Sequence, residues 1–167
     1  AEIFVPGGLP AEEALARTSH LAVGAHQDDL EIMACHAILS CFEREDLWFC
    51  GLVMSDGGGA PRSGPYAGYS DDEMRRVRRR EQKKAAVVGG YGALVLLDYP
   101  SSAVKNGSNT APREDLMRVL EQALPEGSDR TVREVVRSGM AEVQALVDRY
   151  HALATGEPGD KGLREME

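Results

Sequence analysis

His26, Asp28, Asp29 and Glu31 place one imidazole and three carboxylates within six consecutive positions of the chain. Like charges this close repel one another, so the cluster calls for a neutralising partner. A bound divalent cation is the simplest candidate, because imidazole and carboxylate ligands suit zinc and its neighbours. The other reading is an acid-rich helix start. Asp28 or Asp29 would then cap the helix, and Glu31 would sit favourably in its first turn. At this point both readings stand.

The elements around the cluster say where it sits. Leu21–Ala25 is a short apolar run that reads as a buried strand. From Asp29 to Glu43 the apolar residues Ile32, Met33, Ile38, Leu39 and Phe42 recur with helical spacing. The cluster therefore occupies a strand-to-helix turn, where open α/β sheets place their ligands. Leu47–Met54 is a second strand, so the order is strand, helix, strand, and near-continuous apolar runs imply a parallel sheet covered on both faces. A Gly-, Pro-, Ser- and Tyr-rich loop follows from Ser55 to Tyr69, with Gly57-Gly58-Gly59 in neither phosphate-binding register.

Ser70 and Glu73 form a capping-box pattern that opens a helix running to Val88 and closing at Gly89-Gly90. Its middle, Arg75 to Lys84, is strongly basic and reads as a solvated face with one or two inward-reaching arginines. Ala93–Leu97 is a third strand, ending in Asp98-Tyr99-Pro100. A turn at Asn106-Gly107 and a helix over Pro112–Ala123 come next.

Ahead of this core, residues 1–18 read as an N-terminal arm with a short helix around Ala11–Arg17. Behind it, residues 128–156 carry an amphipathic helical stripe that includes Val132, Val136, Met140, Val143 and Tyr150. Residues 157–167 read as an acidic tail. The expectation is a single domain over residues 1–167 with its α/β core at 19–123.

Composition narrows the function classes. A chain of 167 residues holds one compact domain with a real core. The net charge of −8 argues against a nucleic-acid partner. There is no apolar run of about 18 residues, and the N-terminus lacks signal-peptide character, so no membrane span is expected. Three cysteines without a C-x-x-C pair point to reduced thiols in a cytoplasmic protein. Cys35 and Cys50, both in apolar segments, read as core residues.

In order and spacing, Ala25-His26-Gln27-Asp28-Asp29-Leu30-Glu31, then Ser55-Asp56-Gly57, Arg78-x-x-Glu81 and Leu97-Asp98-Tyr99-Pro100 resemble the PIG-L/LmbE-like deacetylases. The resemblance covers roughly Leu21 to Ala123. It implies a Rossmann-like three-layer fold with a mainly parallel sheet. It also implies metal-dependent removal of the acetyl group from an N-acetylglucosaminyl conjugate. The metal would be zinc or another divalent ion, with His26 and Asp29 as ligands. Asp28 would be the general base that takes a proton from metal-activated water and returns it to the leaving amine. Glu31 would support the site from the helix. Arg78 would bind substrate near the sugar cleft, with a salt bridge toward Glu81 as its structural alternative.

Three departures from the family pattern stand out. Gln27 replaces the commoner Pro, and Cys35-His36 replaces a Gly-Gly pair. The late strand and its H-x-x-H segment, which would supply a third ligand, have no counterpart where Leu124 runs into Pro125-Glu126-Gly127-Ser128-Asp129. The remaining histidines do not substitute easily. His36 lies roughly 10.5 Å along the helix from Asp29, His20 is at the far end of the first strand, and His151 flanks the amphipathic stripe. A segment missing near Leu124–Ser128 is the simpler expectation, since the other site features persist. The alternative function is a catalytically incomplete relative that binds a glycan or a protein. The partner expected is a small amino-sugar conjugate, and a homo-oligomer is compatible with the sequence.

Overall fold

The computed structural model describes residues 1–123 together with Glu134, Ala145, Asp148, Arg149 and Ala152. Ala1–Gly127 forms one compact unit and Ser128–Glu167 a second. The five described positions of the second unit are helical and exposed, and none belongs to the expected apolar stripe. That stripe, His151, the acidic tail and the Leu124–Ser128 junction otherwise lie outside the described residues.

The first unit is built on a four-stranded sheet: β1 (Glu2–Phe4), β2 (His20–Gly24), β3 (Phe49–Ser55) and β4 (Ala93–Tyr99), in the order β1-β4-β3-β2. β2, β3 and β4 run parallel, with His20 opposite Phe49 and Cys50 opposite Ala93. β1 pairs antiparallel to β4. Around the sheet lie α1 (Ala11–Ala16), α2 (Asp29–Met33), α3 (Cys35–Cys41), α4 (Asp71–Val88), α5 (Ser101–Lys105) and α6 (Ala111–Gln122).

Strand periodicity splits the core into two halves. Phe49 and Val53 of β3 and Leu94 and Leu96 of β4 pack with Leu30, Ile38, Cys41, Ala86 and Tyr91 of the α2, α3 and α4 side. Cys50, Leu52, Ala93, Val95 and Leu97 face the other way, onto Ala14, Leu15 and Val119 of α1 and α6. The result is the mainly parallel three-layer α/β fold expected. No helix among the described residues is long and apolar enough to cross a membrane.

Three local expectations change. The N-terminal arm is part of the fold: β1 adds an edge strand, and Leu15 of α1 is fully buried with residues of β3, β4 and α6. Burying a leucine side chain stabilises by about 1.5–3 kcal/mol, enough to dock a short helix of weak intrinsic stability. The helix expected over Asp29–Glu43 is two short helices, because Ala34 leaves helical geometry at φ −111°, ψ 18°. Leu30, Ile38 and Cys41 then reach the core, while Ile32, Met33 and Leu39 stay 74%, 69% and 65% exposed. Cys35, read as a core residue, is exposed at the start of α3; Cys41 and Cys50 are the buried thiols.

The capping box at Ser70 and Glu73 forms as the pattern predicts. The basic stretch of α4 is more engaged than expected. Arg75, Arg78, Arg79 and Lys83 reach Asp56, Asp28, Asp98 and Glu2 respectively, tying the helix to the ends of all four strands.

Candidate active site

The ladder between β2 and β3 continues one residue past β2, where Ser55 N–H donates to Ala25 O at 3.0 Å. The chain then turns, and His26, Gln27 and Asp28 cross the carboxyl end of the sheet before α2 begins. Asp28 holds this turn in the left-handed region, at φ 77° and ψ −19°, where residues carrying a Cβ are seldom found. Its side chain makes no capping bond. Asp29 does the local work instead: its Oδ2 accepts the backbone N–H of His26 at 2.8 Å.

That same Asp29 oxygen lies 3.6 Å from His26 Nδ1. Two donors bound at about 2.0–2.2 Å in a tetrahedral array sit about 3.3–3.6 Å apart. The pair therefore fits a shared ion in both donor chemistry and spacing. Among the described residues no group of three His, Cys, Asp or Glu side chains is arranged to hold a metal. His36 is exposed on α3. His20 is occupied at the opposite end of β2, with its Nδ1 3.0 Å from Ser19 Oγ and 3.4 Å from Cys41 Sγ.

Asp28 is exposed at the same mouth, and its Oδ2 accepts from Arg78 Nη2 at 2.7 Å. Nη2 also donates to Gln27 O at 2.8 Å, and Nη1 donates to Glu81 Oε2 at 2.6 Å. Arg78 borders the cleft and also makes the salt bridge to Glu81 that was its structural alternative. Partial burial works against the guanidinium's charge, but the bonds to Asp28 and Glu81 outweigh it and keep Arg78 firmly protonated.

A cleft of about 440 Å³ opens over these groups. His26, Asp28, Asp29 and Arg78 form one wall, Gly57 to Pro61 another, and Ser101 and Lys105 of α5 close the rim. The glycine loop is held rather than loose. Asp56 is buried, takes Arg75 Nε at 2.7 Å and accepts Gly58 N–H at 2.9 Å. At Gly57, with φ +72°, a Cβ would come 2.6 Å from Gln27 Oε1 and 2.7 Å from Arg78 Cβ.

Several residues that build the site went unassigned in the sequence. Gln27 is buried and donates from Nε2 to Ser55 O at 2.8 Å. Gln82 is buried on α4, and its Oε1 accepts Asp28 N–H at 2.9 Å. Its Nε2 donates to Glu31 Oε1 at 2.8 Å, an oxygen that also accepts Tyr91 O–H at 2.6 Å. Burial first, and then the adjacent Glu31 carboxylate, raise the Tyr91 phenol well above its ordinary value. Glu31 thus supports the turn from beneath. Gln82 carried one faint signal, as the lone uncharged polar residue in the run Arg78–Lys84.

The family model described as PIG-L, GlcNAc-PI de-N-acetylase, matches residues 21–138, from the first site strand past α6. The protein belongs to the PIG-L family. PIG-L proteins are GlcNAc deacetylase-type hydrolases, and the PIG-L match covers every element that borders the cleft. No curated protein and no solved structure matches the chain.

Proposed function

We propose that this PIG-L protein hydrolyses the acetamide of an N-acetylglucosaminyl conjugate with the help of a divalent metal, zinc foremost, and with Asp28 as general base. The observation that supports this most is the placing of His26 and Asp29, 3.6 Å apart, beside the Asp28 carboxylate in one cleft. His26 and Asp29 would hold the ion. When bound, such an ion supplies Lewis acidity, polarising a carbonyl and lowering the pKa of water to about 7.

The chain's own groups do the proton work. Asp28 takes a proton from the attacking water as the oxygen–carbon bond forms. It then delivers that proton to the amide nitrogen as the carbon–nitrogen bond breaks, leaving acetic acid and a free amine. Arg78 engages only Oδ2 of Asp28, steadying the carboxylate through an anchored guanidinium. Gly57 to Pro61 and Lys105 border the space in which a sugar would lie.

A second reading, a glycan- or protein-binding relative without turnover, is favoured by the absence of a third donor among the described residues. Metal titration separates the two. The purified protein is expected to bind one zinc ion, and His26→Ala to weaken binding at least about 10-fold, the smallest loss seen even when only an outer-shell partner of a ligand is removed. Absence of zinc binding, or unchanged affinity in His26→Ala, rules out the metal-dependent reading.

A further inference from the structure

We propose that Gln82 is the positioning residue for Asp28, and that Glu31 with Tyr91 dictates which way the Gln82 amide faces. The proposal rests on Asp28 being the general base, and its test separates the two ideas.

Asp28 needs an external hold. Its backbone lies at φ 77°, and its side chain caps nothing. The bond that holds its N–H comes from 54 positions away, at Gln82 Oε1. Gln82 is only 2% exposed. It stands one helical turn after Arg78, so the two side chains share a face of α4. Arg78 takes the Asp28 carboxylate and Gln82 takes its amide. Two positions one turn apart on one helix thereby define both ends of the residue that would carry the proton.

The direction of each bond in this network is forced. A backbone N–H only donates, so the amide oxygen of Gln82 must face Asp28, and its NH₂ must face the other way. There it meets Glu31 Oε1, which accepts, and which Tyr91 O–H secures from the core. Tyr91 is itself fixed edge-on against Phe49, ring centroids 4.6 Å apart. An acceptor at position 31 and a donor–acceptor at position 82 are therefore a matched set. A flipped or missing amide would present the wrong group to Asp28, and reorienting the turn shifts the base. Errors of about 1 Å in such placement cost on the order of 10²-fold in rate.

The matched set predicts a rescue. Gln82→Glu replaces the NH₂ that faces Glu31 with a second carboxyl group and removes the matched donor. Adding Glu31→Gln restores a donor at position 31, so the bond between positions 31 and 82 re-forms with the charge moved to position 82, and the Tyr91 oxygen turns from donor to acceptor of the new amide. The readouts are amide hydrogen exchange at Asp28, measured by NMR, and kcat and KM for amine release from an N-acetylglucosaminyl conjugate.

Gln82→Leu and Gln82→Glu are expected to speed Asp28 exchange at least about 10-fold, and to lower kcat about 10- to 100-fold with KM within about 2-fold. The double variant should recover exchange and kcat to within about 3-fold of the parent. Unchanged Asp28 exchange in Gln82→Leu overturns the proposal. So does a double variant no better than Gln82→Glu alone. If Asp28 exchange follows position 82 while kcat does not, the positioning holds and the assignment of Asp28 as base fails instead.

Discussion

Replacing Gly57 by alanine adds one methyl group to the loop wall of the cleft, and the structure shows where it would go. The new Cβ would sit 2.6 Å from Gln27 Oε1 and 2.7 Å from Arg78 Cβ. Neither neighbour can yield cheaply. Gln27 is buried and bonded to Ser55 O, and the Arg78 contact is to the root of a residue inside the 18-residue α4. Alanine also pays about 1–2 kcal/mol for a left-handed backbone, which Gly57 adopts at φ +72°. Overpacking adds about 1–3 kcal/mol. The sum, about 2–5 kcal/mol, corresponds to a Tm lowered by about 5–20 °C for a chain of this size.

Thermal melts followed by circular dichroism test this, with Gly59→Ala as the internal control. An added Cβ at Gly59 meets nothing within 4 Å, so that variant should melt within about 2 °C of the parent. Equal Tm values for the two variants would refute the packing account of the loop.

Alkaline pH should destabilise the protein. Burial pushes the Cys50 thiol up to about 12, against about 8.5 for a free thiol. A raised pKa means the unfolded chain loses its proton first, so this contribution is intact below about pH 8.5 and is lost as pH climbs toward 12. The urea midpoint should fall between pH 8 and pH 10, and Cys50→Ala should flatten that fall; a midpoint independent of pH would contradict it. Tyr91 adds a loss of the same sign at higher pH, since burial and then Glu31 raise its phenol. Thiol labelling of the native protein should show one fast site, Cys35, because Cys41 and Cys50 are buried and both are shifted up by burial. Three thiols reacting at one rate would contradict the packing of α3 and β3.

What could be read from the sequence was mostly local. The Ser70/Glu73 capping box specifies its own helix start through bonds three residues apart, and the apolar runs of β3 and β4 announce buried parallel strands. β1 escaped notice because three residues carry no periodicity; pairing with Leu94–Leu96 creates the strand. The break at Ala34 has no glycine or proline to mark it, and apolar spacing through Phe42 suggested one continuous helix.

The site divides the same way. His26 and Asp29 are three apart, so their proximity follows from the turn itself. Arg78 and Gln82 lie 50 and 54 positions from Asp28, and only the packing of α4 across the carboxyl ends of β2 and β3 brings them there. Gln82 was also masked by its neighbours, a neutral side chain in a helix whose charges dominate any reading of the sequence.

In the proposed reaction, Asp28 moves the proton during hydrolysis of an N-acetylglucosaminyl amide. Amine release from such conjugates by the zinc-supplied protein and by Asp28→Asn, with zinc content measured in both, tests it most directly. Turnover is expected from the parent, with a loss of at least about 10²-fold in Asp28→Asn and zinc stoichiometry unchanged. Equal turnover in the two proteins, or a zinc-loaded parent that releases no amine, would contradict it.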